Sequence, residues 1–360
     1  MTERQSDGAK NSLRLAIPRS RRRAVALSPY LWCGGAVIVA LLLSAAIGAV
    51  SMPLSDVTRM LLARLLPITP DWPATFNTIL FDIRLPRTAL IALTGAALAG
   101  SGAAYQGLFR NPLADPYLIG IASGASLGAV IAMAWRWPAS ALSFFAVPVA
   151  AFIGALLAAI VVYNIARVGQ TTPITTLILA GVAFGSFATA VTTLLMLGTQ
   201  GELRRAVVWM LGGFSLGGWS PVMAVLPFTL IGSSVLIALG RALNVLQFGD
   251  DQARQLGLNV ERVRLIVIVA ASLTTAAAVA FSGVIGFVGL AVPHLIRLMW
   301  GGDYRRVIPL SILGGAAGLL LADLLARTLL APQELPVGVI TALIGAPFFV
   351  WLLRRAKHEG

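Results

Sequence analysis

The sequence predicts an all-α integral membrane protein of about ten transmembrane helices, with both termini cytoplasmic. Three observations predict it. Of 360 residues, 58% are hydrophobic and 11% charged, whereas a soluble domain carries about a quarter charged residues. The charges are also segregated. Charge-free stretches such as 88–109, 137–166, 168–201, 206–240 and 265–296 are each long enough for a crossing of about 20 apolar residues. Finally, 19 of the 27 Lys and Arg fall on one side of this layout and 8 on the other. Cationic loops stay cytoplasmic, so both termini lie inside and the number of crossings is even. The net charge of +13 then reflects orientation. Nucleic acid is excluded as a partner, because the basic residues line helix ends and not one face.

Taken in order, residues 1–29 form a basic tail read as disordered and cytosolic, residues 30–353 the transmembrane domain, and 354–360 a cytosolic C-terminus. Arg19, Arg21, Arg22 and Arg23 before an apolar run resemble the start of a signal peptide. The run of about 20 residues exceeds a cleavable core, so helix one, near 30–50, is read as an uncleaved anchor. Cys33, the single cysteine, lies inside it, which leaves no disulfide framework. Residues 51–86 form an external segment turned by Pro53, Pro67, Pro70 and Pro73, with an interfacial helix near 55–66. Helix two spans about 87–106, an inner loop 107–115, helix three 116–134, helix four 146–166 and helix five 174–197. An external segment, 198–220, carries an amphipathic stretch around 204–211. Helix six covers 221–240 and precedes the long charged internal loop 241–264. Helices seven and eight share 265–300, turning at Gly283–Gly289. Helix nine is about 307–328 and helix ten 336–353. Clusters of small residues (Gly95, Gly100 and Gly102; Gly120, Gly124 and Gly128; Gly314, Gly315 and Gly318) predict close helix packing, the attraction that works in lipid.

Four segments are candidates for function. The loop 106–116 sets polar side chains and two prolines between glycine-rich helices. Irregular backbone there must be shielded or face water. It is either an ordinary turn or a constriction narrowed by Asn111 and Leu113. Arg84 and Arg87 at the outer end of helix two run against the charge bias. They either snorkel to headgroups or meet an acidic partner. Arg327 is similar, although Asp323 four residues earlier shares its helix face. Residues 250–264 read as two short helices, the first capped by Asp250 and ended by Gly257, the second capped by Asn259. Leu256, Leu258 and Val260 then serve a docking knob for a cytosolic subunit, or the unit is a passive connector. In the fourth segment His294, in an apolar run before Arg297, reads as a packed side chain. With His358 it completes the histidine count, so no Cys/His metal site is expected. No P-loop string occurs, so this chain does not hydrolyse ATP by that route and is not expected to be an enzyme. Nor do acidic residues cluster within spans as coupling carboxylates do. A secondary carrier would have Asp323 as its one candidate coupling residue, and no catalytic constellation assembles for an intramembrane enzyme.

Five motifs in order, Arg84-Leu85-Pro86-Arg87, Asn111-Pro112-Leu113-Ala114-Asp115-Pro116, Ala253-Arg254-Gln255-Leu256-Gly257-Leu258, Gly286-Phe287-Val288-Gly289 with Pro293-His294, and Glu334-Leu335-Pro336-Val337-Gly338 running to Gly345-Ala346-Pro347, resemble the FecCD-type permeases of ABC importers. That group includes the vitamin B12, ferric-siderophore and haem importers, and the resemblance covers nearly all of 30–355. It implies a vitamin B12 importer permease-like fold in the inner membrane, surrounded by membrane lipid, working as a homodimer with its path at the dimer interface. A cytosolic ATPase dimer, which uses ATP and Mg, would dock on Ala253, Arg254, Gln255, Leu256, Gly257 and Leu258. A periplasmic or lipid-anchored binding protein would pair its glutamates with Arg84, Arg87 and Arg327. Asn111 and Leu113 match a cytoplasmic gate. No cofactor is bound directly. The cargo expected first is a ferric siderophore, with haem and cobalamin as alternatives.

Overall fold

The computed structural model describes residues 19–48, 50–67, 69, 71–135, 143–169, 171–198, 203–213 and 217–358. Positions 1–18 of the basic tail and the last two residues lie outside these. Helix α1 covers Arg19–Ala46, and α2 (Leu54–Leu62) and α3 (Ala74–Asn77) follow. A π-helical turn over Thr78–Arg84 feeds into α4 (Leu85–Phe109), and a 3-10 turn over Pro116–Ile119 precedes α5 (Ile121–Ala134). Then come α6 (Ser143–Ala166), α7 (Ile174–Gly198), α8 (Leu203–Met210), α9 (Ser220–Ala238), α10 (Gly240–Leu246) and α11 (Asp250–Gln255). The chain finishes with α12 (Val260–Ser282), α13 (Val288–Trp300), α14 (Tyr304–Thr328) and α15 (Val337–His358). Among the described residues, seven helices are long and apolar enough to cross a membrane, and α5, α13 and α15 are shorter apolar helices. These ten stand where the charge-free stretches put them.

Helix α4 is the centre. Its residues from Thr94 to Phe109 are all buried, against α9, α12, α13 and α14. Small residues make this possible. A Cβ on Gly95 would overlap the Gly315 carbonyl of α14, and one on Gly102 the Gly289 carbonyl of α13. Backbones in direct contact gain dispersion along their whole length, the main attraction between helices in lipid. Helices α5 and α6 meet in the same way, Gly124 lying on Gly154 and Gly128 on Ala150.

Four boundaries differ from the sequence reading. Helix α1 begins at Arg19 and not at Tyr30, so part of the presumed disordered tail is helical. Arg, Ala and Leu are good helix formers, and extending an existing helix is easier than nucleating one. Residues 74–86, assigned to an external segment, continue helix two outward. Pro86 would clash with the carbonyl of Asp82 in a regular ladder, and the wider π turn immediately before it absorbs that defect. Helix three is divided at Gly120, whose φ of 80° is left-handed, a conformation glycine adopts without penalty. Lastly, the second of the two short helices in 250–264 is the first turn of the membrane helix α12. Asn259 caps it as expected, its Oδ1 accepting from the Arg262 N–H at 3.0 Å. The cap of α11 is Gly249 and not Asp250, whose carboxylate is engaged elsewhere.

Candidate functional site

One end of the bundle gathers charged side chains around the C-terminus of α1. The last carbonyls of a helix lack intrahelical donors and attract cations. Arg84 donates through Nη1 to the Ala45 and Ala46 carbonyls at 2.8 Å each, and through Nη2 to that of Val50. Arg327 donates to the Ile47 carbonyl at 3.1 Å and to Ser44 Oγ at 2.9 Å. Asp323, with 0% of its side chain exposed, lies between two arginines. Its Oδ1 accepts from Arg87 Nη2 at 2.9 Å. Its Oδ2 is 2.8 Å from Arg327 Nε, an ion pair whose N–H is not in line for a hydrogen bond. Arg87 also donates to Glu334 Oε2 at 2.7 Å.

This geometry separates the three predicted docking arginines. Arg84 is 7% exposed, and its guanidinium caps the end of α1 by donating to backbone carbonyls. Arg327 is equally enclosed, with 7% of its side chain exposed, and pairs with Asp323 at the expected four-residue spacing. Arg87 is 25% exposed, and its partner Glu334 is 54% exposed, so this pair stands at the surface.

At the opposite end the loop 107–115 is pinned from several sides. Gln106 Nε2 donates to the carbonyls of Ala114, Gly289 and Leu290 at 3.2 to 3.3 Å, tying the loop to α13. Asn111 Oδ1 accepts from the Leu113 N–H at 2.9 Å, so the two predicted gate residues are joined by a local turn and both are half-buried. Asp115 caps the 3-10 turn by accepting from the Tyr117 N–H at 2.9 Å. Burial pushes the Asp115 carboxyl up to about 6, against that hydrogen bond. Arg110, left-handed at φ 51°, carries the loop to α11 through an ion pair with Asp250 at 3.4 Å.

Asp250 is a hub. It also holds Arg264, 4% exposed, at 2.7 Å, and Glu261 holds the same guanidinium at 2.7 Å. Of the predicted coupling residues, Ala253 is fully buried and anchors α11, while Leu258 packs half-buried against the core. Gly257 turns the chain at φ 83°. Arg254, Gln255 and Leu256 are exposed, Leu256 to 68%. Phe248, 67% exposed at the other end of α11, adds a second apolar side chain to this knob. Sequence reading missed it because an aromatic residue next to a membrane helix looks like the end of that helix.

Between the two ends, α7 is the least buried of the seven candidate spans. Its exposed residues include Thr175, Leu179, Val182, Ser186, Thr189 and Thr193, spaced to form one face. A cavity of 490 Å³ lies against it, lined by Asp115, Tyr117 and Ser123 opposite Gly181, Gly185 and Ser186. Helices that face lipid are apolar outward. Of the four hydroxyls on this face, that of Thr193 donates back to the Thr189 carbonyl at 2.9 Å, and the rest suit water or another protein surface. Among the described residues, no group of three or more His, Cys, Asp or Glu is placed to hold a metal ion.

A hydroxyl-bearing helix face in a bundle of candidate membrane spans is the architecture of a multi-pass membrane protein. Known proteins agree. The FecCD transport family matches residues 36–355. The chain is 42% identical over 351 residues to an uncharacterised ABC transporter permease, YvrB, of Bacillus subtilis (strain 168), covering 97% of this chain and 99% of that one. It is 47% identical over 288 residues to the cobalamin import system permease BtuC of Halobacterium salinarum, 80% of this chain and 76% of that one. A solved inward-facing ABC transporter assigned to the metal-chelate type superposes with a TM-score of 0.79 at 29% identity, over 92% of this chain and 99% of that one. The chain belongs to the FecCD transport family, as a permease of the ABC importer class in the inner membrane.

Proposed function

We propose that this permease works as a homodimer that passes a metal chelate inward between two copies of α7, powered by a cytosolic ATPase dimer docked on the α11 knob. The observation that carries this reading is the exposed face of α7 with Ser186, Thr189 and Thr193, next to the 490 Å³ cavity. Two such faces related by a two-fold axis would enclose a path lined by neutral hydroxyls, suited to a large cargo gripped weakly. Arg87 is the outer docking residue for the glutamates of a binding protein, because Glu334 is a surface carboxylate that an incoming one replaces. Arg327 contributes through the Asp323 it shares with Arg87. Asn111 and Leu113 close the inner mouth. Both termini are cytoplasmic, which places the α11 knob on the same side as the ATPase.

The cargo of this reading is a ferric siderophore. The 47% identity to a cobalamin permease favours a corrinoid as the second reading.

Two experiments test it. In a Cys33→Ala background, Ser186→Cys gives a disulfide-linked dimer in oxidised membranes, and a strictly monomeric product overturns the two-fold path. In a deletion strain with its partner ATPase, the chain restores uptake of a ferric siderophore. The Arg254→Ala, Leu256→Ala pair abolishes that uptake without lowering the melting temperature, because Arg254 is itself exposed and its pairs with Asp251 and Glu261 are long, at 3.6 Å, and worth about 0–1 kcal/mol. Cobalamin uptake in place of siderophore uptake establishes the second reading. ATPase-independent uptake overturns the importer mechanism.

A further inference from the structure

We infer that the cleft between α6 and α12 is a binding site for an anionic phospholipid, with an acyl chain in the cleft and the headgroup phosphate at Arg167 and Arg262. The cleft encloses 310 Å³ between Leu156, Ile160 and Asn164 on one helix and Leu265, Val269 and Leu273 on the other. Each helix contributes residues eight positions apart, so the cleft extends about 12 Å along both, the length of an extended segment of acyl chain. Its walls are almost wholly apolar. The hydroxyl at its base, Ser272 Oγ, is engaged with Tyr105 Oη at 3.0 Å, and the Asn164 amide donates to its own helix at Ile160 O, at 2.9 Å. Both helices are candidate membrane spans. Leu265 and Val269 are 42% and 55% exposed, so the cleft opens on the flank of the bundle.

The headgroup end is set by helix phase. Arg262 precedes Leu265 and Val269 by three and seven residues and so lies on the same face, one turn beyond the cleft. Arg167 follows Ile160 and Asn164 at the corresponding spacing, just past the end of α6. Both are exposed. Arg167 Nε is steadied by the Gly169 carbonyl at 3.1 Å. A hydrogen bond from the Thr172 N–H to Glu261 Oε2 at 3.3 Å fastens the turn after α6 to the first turn of α12, the two segments that carry Arg167 and Arg262. The acidic neighbour there is Glu261. Its charge is already answered by Arg264 at 2.7 Å and Arg254 at 3.6 Å, and Arg167 and Arg262 add two formal positive charges at the mouth. Basic pockets between transmembrane helices at the membrane surface are the setting in which anionic headgroups bind, and guanidinium forks match phosphate geometry.

The site stands independently of cargo and of the dimer. Its test is lipid retention by the full chain, purified from mixed phosphatidylglycerol and phosphatidylcholine bilayers and read by native mass spectrometry. Phosphatidylglycerol is expected to be retained over phosphatidylcholine by roughly twentyfold, as two surface arginines supply. Arg167→Gln with Arg262→Gln brings the ratio to parity while some lipid remains bound. Val269→Trp fills the cleft from an exposed position and removes both lipids. Equal retention by the unaltered chain, a preference that survives the double substitution, or undiminished lipid in Val269→Trp each overturns the assignment.

Discussion

Asp323→Ala destabilises the protein by about 3–5 kcal/mol, the usual penalty for removing one partner of a buried charge cluster. Asp323 is the fully enclosed anion between Arg87 and Arg327. Without it, Arg327 keeps its hydrogen bonds to Ser44 and Ile47 but holds an uncompensated charge with 7% of its side chain exposed. The measurement is thermal unfolding of the purified full chain in detergent. Asp71→Ala is the control. It removes an ion pair of 2.7 Å whose side chains are 46% and 55% exposed, an arrangement worth about 0–1 kcal/mol. Equal melting shifts for the two variants would show that Asp323 is not electrostatically committed to its neighbours.

Arg84→Ala produces the second large effect, and it separates a cap from a docking residue. The substitution removes three charge-assisted hydrogen bonds at and just beyond the end of α1 and leaves the Ala46 carbonyl with only the Met52 N–H, at 3.3 Å. Hydrogen bonds to charged groups contribute about 1.5–3 kcal/mol each, with strong overlap when one group makes several. A loss of about 3 kcal/mol is expected. Arg84→Lys does not restore it, because a single ammonium lacks the fork that spans several carbonyls. Arg87→Ala behaves in the opposite way, with a small melting shift and a loss of capture by the binding protein. Unchanged melting in Arg84→Ala, together with lost capture, would return Arg84 to the docking surface.

The membrane architecture was legible in the sequence because lipid imposes a coarse constraint, a long uncharged stretch for each crossing. The ten helices, the turn between Gly283 and Gly289 and the Asn259 cap all follow from local signals of that kind. The roles of the charged residues were less legible. Arg84 and Arg87 are three positions apart and look equivalent along the chain. Yet one meets α1 carbonyls some 38 residues earlier and the other meets Asp323, 236 residues later. No local spacing encodes either partner. The same holds for Asp250, which reads as a helix cap beside its own helix but bridges Arg110 and Arg264. The interrupted third helix was hidden by Gly120, which is as ordinary in a tightly packed helix as it is at a break.

Helix α7 has mechanical consequences. It touches the 3-10 turn most closely at Gly181, where an added Cβ would overlap the Leu118 carbonyl, and 12 of its 25 residues are exposed. That contact sits nearer one end of the 25-residue helix, with arms of about 10 Å and about 26 Å on its two sides. A tilt of about 10° about this fulcrum moves the short arm by about 2 Å and the long arm by about 4–5 Å, the scale of known helix shifts. A small displacement of the short arm is thereby multiplied at the far end of the helix. Meanwhile α4, α13 and α14, in backbone contact through glycine, form the stationary frame against which the lever works.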